Sequence, residues 1–176
     1  NDLLLTKLTE YYNTDNNLEK MLSIINGGSR ISLRIVDWLA TNYAKKYYTV
    51  YDIEGSDKRF KVYIDYKLKL KAYSKRRFDP FCRWDRVNIP YKDGTFIQTT
   101  IGQLNFFKWA LENDVIKYIE NNYQTIEKDM NLRNSTSKNK DMCISTSKTR
   151  KKREELSISA SKTIKREDIE IVIEFK

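Results

Sequence analysis

Histidine is absent from this 176-residue chain, and cysteine occurs only as Cys82 and Cys143. A structural zinc site draws four ligands from thiolates and imidazoles, so two thiols without an imidazole cannot complete one within a single chain. Ser-His-Asp and Cys-His nucleophile arrangements, and histidine general-base chemistry, fall on the same ground. An enzyme would be left with carboxylate, lysine or tyrosine chemistry, with or without Mg²⁺. The carboxylates Asp37, Asp65, Asp79, Asp85, Asp93 and Asp114 are scattered, and no spacing among them fixes a metal or an acid/base couple. No Walker loop occurs, and Gly27-Gly28-Ser29-Arg30 ahead of a helix is only part of a phosphate cradle, read more simply as a cap. The expectation is a protein that is not an enzyme and carries no cofactor.

Long apolar runs are also missing. No stretch of 18 apolar residues and no leader-like apolar core with a small-residue cleavage site occurs, so a soluble, intracellular chain without membrane contact is expected. A disulfide would need an oxidising compartment, to which nothing else points. Glycine (five) and proline (two) are scarce, while 40% of the residues are hydrophobic and 12% aromatic, enough to bury a core at this length. Few breakers and many β-formers favour one α+β domain over 1–176.

Periodicity orders that domain. Leu4, Leu5 and Leu8, then Leu18, Met21, Leu22 and Ile25, recur at three and four residues and give two short helices before Asn26-Gly27-Gly28. Ser29 is placed to cap a third helix that ends near Lys45 and Lys46, carrying Ile31, Ile35, Trp38 and Leu39 on one side. From Phe60 to Ser74 apolar residues and lysines alternate strictly, which predicts a long strand with a lysine-covered wet face, paired with 47–53 across a turn at Gly55. Lys92-Asp93-Gly94 predicts a second hairpin between 87–91 and 95–99, with Pro90 marking an edge strand. Thr100 and Gln103 have the spacing of a helix start, and a second helix of about four turns follows Asn113-Asp114. Residues 131–153 are too polar to fold alone and read as a mobile basic loop. Leu156 to Ala160 and Ile169 to Phe175 then alternate as two strands, joined by a turn near Thr163 to Glu167. The expected fold is α+β, with N-terminal helices and an antiparallel sheet from the middle and C-terminal strands, covered by a helical pair.

The net charge of +9 is concentrated. Residues 57–86 carry +7 and 133–166 carry +8, leaving −6 for the rest. This is the footprint of a polyanion binder. The candidate nucleic-acid-binding residues are Lys67, Lys69, Lys71, Lys75, Arg76, Arg77, Arg83 and Arg86, with Arg150, Lys151, Lys152 and Arg153 on a basic arm that also resembles a nuclear-localisation run. Tyr73, Phe78, Phe81 and Trp84 could stack on bases, although the spacing of the last three favours anchoring the Asp79-Pro80 corner in the core, that corner being an ordinary turn or a helix start with Asp79 as cap. The bland alternatives are a lysine face kept for solubility and edge protection, and Cys82 as a small buried hydrophobe.

Four stretches, GGSRISLRIVDWLATNYAKK, LKAYSKRRFDPFCRW, TTIGQLNFFKWALEN and SISASKTIKREDIEIVIEF, occur in this order and together resemble an uncharacterised family of nucleocytoplasmic large DNA viruses, particularly the mimivirus-like giant viruses. The resemblance covers most of 27–176. It implies a viral source and an intracellular setting in host cytoplasm, virion or nucleus, and no catalytic residues to carry over. Nucleic acid, bound without regard to sequence, is the expected partner. Other viral proteins, met through exposed tyrosines and a C-terminal edge strand, are the competing expectation.

Overall fold

The computed structural model describes residues 2–55, 59–84, 86–141 and 165–167. Helices α1 (Asp2–Asn13) and α2 (Asn17–Ile25) form where the leucine spacing places them, and the polar break between them turns through left-handed Asp15 and Asn16. Short polar side chains tolerate that conformation. Gly27, at φ 78°, closes α2. The next helix, α3 (Leu33–Trp38), starts at Ser32, whose hydroxyl accepts from the Ile35 amide. Ser29, the expected cap, instead accepts from the Ile31 amide and shapes the preceding turn. After α3 the backbone widens into one π turn, Leu39–Tyr43, and continues as α4 (Ala44–Tyr47) until Tyr48 turns left-handed at φ 50°.

The long strand expected from Phe60 to Ser74 is overturned. Only Arg59–Lys61 is extended (β2), paired antiparallel with Val50–Asp52 (β1), and Val62–Phe78 is helix α5. The physical reason lies in the pattern itself. An alternating apolar series contains an i, i+4 subset, and Val62, Tyr66 and Leu70 form one side of a helix whose lysines, leucines and arginines are strong helix formers. Burial follows that subset: Val62 and Tyr66 are buried, while Ile64 and Leu68 point to solvent. Helix α5 is broken at Ser74, held at φ 66° and ψ 161°, a region that costs a non-glycine residue about 1–3 kcal/mol.

The second hairpin matches expectation. Strands β3 (Arg86–Pro90) and β4 (Phe96–Thr100) pair from Arg86↔Thr100 to Pro90↔Phe96 across a short 3-10 turn at Lys92–Gly94. Strand β5 (Lys165–Glu167) adds to β4, so 165–167 is sheet where a turn was expected, and β3 with its proline lies on the outer side. The strands expected at 156–160 and 169–175 lie outside the described residues.

Helix α6 (Ile101–Glu112) is the hub. Thr100 caps it, accepting from the Gln103 amide at 3.2 Å, while Gln103 Oε1 accepts from the Thr99 hydroxyl at 2.8 Å. Nearly every side chain from Ile101 to Ala110 is buried, which explains an apolar composition without a polar stripe. Around it Phe60, Tyr66, Phe78, Phe106 and Trp109 cluster in tilted and edge-to-face contacts with ring centroids 5.7–6.4 Å apart. The Tyr12 hydroxyl donates to Leu104 O at 2.6 Å and ties α1 to this hub.

Helix α7 (Val115–Asp141) closes the domain, starting after left-handed Asp114. It runs past the expected four turns, so 131–141 is helical rather than loop, and 142–153 lies outside the described residues. Asp129 of α7 is buried and receives three donors: Trp38 Nε1 at 3.1 Å, Lys46 Nζ at 2.7 Å and the Tyr47 hydroxyl at 3.0 Å. Burial pushes the Asp129 carboxyl up, and these hydrogen bonds outweigh it, holding the group below its ordinary value. Among the described residues no helix is long and apolar enough to cross a membrane. The fold class is α+β as expected, with the sheet content split into a two-stranded ribbon and a three-stranded sheet.

Candidate nucleic-acid interface

The stretch from Lys75 to Trp84 is held in place by α6. Asn105 Nδ2 donates to Arg77 O at 2.8 Å, and Phe78, 1% exposed, inserts among Tyr66, Phe106 and Trp109. Gly102 lies so close beneath that a Cβ there would stand 2.6 Å from the Asp79 carbonyl oxygen. Only glycine permits that approach. Of the two readings of Asp79-Pro80, a turn or a helix start, the structure has the turn. Asp79 ends α5, its Oδ1 accepts from the Phe81 amide at 2.8 Å, and its carbonyl accepts from the Cys82 amide at 3.1 Å. The Asp-Pro corner is therefore an Asx-type turn.

This turn divides the three aromatics differently from the sequence reading. Phe78 is core and Phe81 is half-buried against it, but Trp84 is 65% exposed. The Arg76 guanidinium lies 5.3 Å from the Trp84 ring centroid. Charged neighbours on both sides, Arg83 and Asp85-Arg86, were the available sign that this indole faces water.

Trp84, Arg76 and Lys75 line one wall of an open groove of about 810 Å³, with Phe81, Cys82 and Asp79 beside them and Tyr66 and Leu70 also in its lining. Asp37, Thr41 and Asn42, from α3 and the π turn, also line it, and sequence reasoning missed them because only the fold brings them beside α5. Burial, with Asp37 and Asp79 adding to it, pushes the Tyr66 phenol well above its ordinary value, so it remains a neutral hydrogen-bonding group at neutral pH. Lys75 Nζ stands 3.7 Å from Asp79 Oδ2, an exposed pair worth little to stability. The groove thus combines an aromatic face, two cations and polar acceptors.

The remaining candidates separate. Lys67 and Lys71 line a second, shallower groove on the earlier half of α5, and Lys69 is half-buried. Arg83 and Arg86 are exposed and Arg77 is half-buried, and none of these three lines either groove. Arg150, Lys151, Lys152 and Arg153 lie outside the described residues.

No solved structure matches the chain. An uncharacterized protein, L507, of Acanthamoeba polyphaga mimivirus is 43% identical over 146 residues, covering 78% of this chain and 56% of the viral protein, so the chain spans little more than half the length of that relative. The giant-virus resemblance read from the sequence is borne out, and with a family model matching residues 1–174 the chain belongs to the family of unknown function DUF7197.

Proposed function

We propose that this viral protein acts without catalysis, binding single-stranded nucleic acid independently of sequence at the groove beside Trp84. The observation that carries the reading is the exposed indole with the Arg76 guanidinium on its ring and Lys75 on the same wall. Unpaired bases stack on such a ring whatever their identity, while cations alongside follow the phosphates. Arg83, next to Trp84 in sequence and exposed, extends the cationic side, with Arg77 and Arg86 flanking it. The carboxylates Asp37 and Asp79 keep this from being a plain cationic trough and leave room for base edges that donate hydrogen bonds.

Fluorescence anisotropy with a labelled oligonucleotide, run from about 50 to 200 mM salt, tests the reading. Each phosphate contact contributes about 0.7 to the slope of log affinity against log salt on single strands. Replacing Arg76 and Arg83 by Glu is expected to abolish binding and leave the thermal melt in place. Affinity unchanged in that variant would reject the assignment.

A further inference from the structure

Helix α5 carries a second surface along its first half, meeting the Trp84 groove at Leu70. Ile64 and Leu68, four residues apart, are 53% and 60% exposed, and with Tyr63 and Leu70 they line a shallow groove of about 490 Å³. A solvated helix face has no use for two branched aliphatic side chains one turn apart, since lysine or glutamate would serve at both positions. Among the described lining residues the charges are Lys67 and Lys71, also one turn apart. Lys45 and Lys67 each place their ammonium 6.0 Å from the Tyr63 ring centroid, so the upper end of the stripe is cationic from two helices.

From these features we infer that the Ile64/Leu68 stripe docks an acidic amphipathic helix of another protein. Its apolar side chains, spaced three or four apart, fill the groove, and its carboxylates meet Lys67 and Lys71. Charge argues against a second copy of this chain, because a two-fold contact across the stripe would set the same lysines against each other. Nucleic acid would use the lysines and leave Ile64 and Leu68 with nothing to stack on, as bases prefer aromatic faces. The docking surface shares Leu70 with the lining of the Trp84 groove and includes Lys67 and Lys71 of the sequence candidates, but none of Trp84, Arg76, Lys75 and Arg83, on which the proposed function rests, so either can fail alone.

The probe is a synthetic helical peptide with leucines at i and i+4 flanked by glutamates, set against the same peptide with lysines in place of the glutamates. Both are titrated into the full chain with methyl NMR as the readout. The acidic peptide is expected to shift the Ile64 and Leu68 methyls, and Leu68→Ser to weaken it about tenfold. Lys67→Glu with Lys71→Glu is expected to reverse the preference between the peptides. Oligonucleotide affinity in Leu68→Ser is expected to stay at the wild-type value. The inference is overturned if the acidic peptide does not bind, if the two peptides bind equally, or if the shifts fall away from α5. It is equally overturned if light scattering shows a dimer that Leu68→Ser dissolves, if phosphatidylserine vesicles bind the stripe in preference to the peptide, or if Leu68→Ser weakens the oligonucleotide as much as the peptide.

Discussion

Replacing Trp84 by alanine separates binding from folding more cleanly than any charge change. The indole is 65% exposed and lies 5.3 Å from Arg76, so folding loses about 0.5–1 kcal/mol of an exposed cation–π pair and about 2 kcal/mol from the buried third of the ring. For a chain of this length about 1 kcal/mol lowers the melting temperature by roughly 2–4 °C. A base stacked on the ring is worth about 1–3 kcal/mol, so the oligonucleotide dissociation constant is expected to rise by about 5- to 150-fold. Tryptophan emission provides a second readout. Trp109 is buried and donates to Asp65 Oδ1 at 2.6 Å, and Trp38 donates to Asp129, so Trp84 is the indole open to quenching by a stacked base. Titration with oligonucleotide should quench the wild type and leave Trp84→Ala unquenched. Wild-type affinity in Trp84→Ala, with the melt intact, would refute stacking. A collapse of the melt would refute the claim that this ring lies outside the core.

Two further substitutions test the frame behind the groove. Gly102→Ala gains about 1 kcal/mol of helix propensity, but its Cβ meets the Asp79 carbonyl at 2.6 Å, and overpacking of about 1–3 kcal/mol should win. The melting temperature is expected to fall by a few degrees and oligonucleotide binding to weaken, since the Lys75 to Asp79 wall must shift; a raised melting temperature would contradict this approach. Asp129→Ala leaves Trp38, Lys46 and Tyr47 without their acceptor and is expected to cost about 1–3 kcal/mol in urea unfolding at pH 7. Because the folded Asp129 carboxyl is held below its unfolded value of about 3.9, its stabilising effect is complete above that pH and fades as the pH falls through the lower folded value. The gap between wild type and Asp129→Ala should therefore narrow below about pH 4, and a gap that widens in acid would contradict the assignment.

Punctuation and capping were legible in the sequence: Gly27 ends α2, Lys92-Asp93-Gly94 joins β3 to β4, and Thr100 caps α6. These signals work because each needs only a few neighbouring residues. Between Phe60 and Ser74 local pattern misled, since apolar alternation satisfies a strand and a helix face at once, and only packing against α6 selects Val62 and Tyr66 over Ile64 and Leu68. The basic residues are plain in the sequence, but which of them line a groove depends on the packing of α5 and on its break at Ser74, a positive-φ serine that no propensity announces. Asp37, Thr41 and Asn42 could not be found in advance, because they face α5 only after α3 and the π turn have packed.

The π turn at Leu39–Tyr43 sets a rotational phase. Trp38 and Lys46 both reach Asp129, yet eight residues of regular α-helix would leave them about 80° apart around the axis. A turn holding one extra residue takes up that angle and brings the two donors onto one side. The helix from Leu33 to Tyr47 therefore behaves like a keyed shaft, in which the inserted residue fixes how α4 is clocked against α3. Removing a single residue from 39–43 would turn the π turn into regular α-helix and leave α4 in phase, because seven residues at about 100° each still bring the lysine to within about 20° of Trp38. A one-residue gap is therefore absorbed at 39–43, where it heals the wide turn, and not in the regular helix on either side, where about 100° of rotation would carry Trp38 or Lys46 away from Asp129.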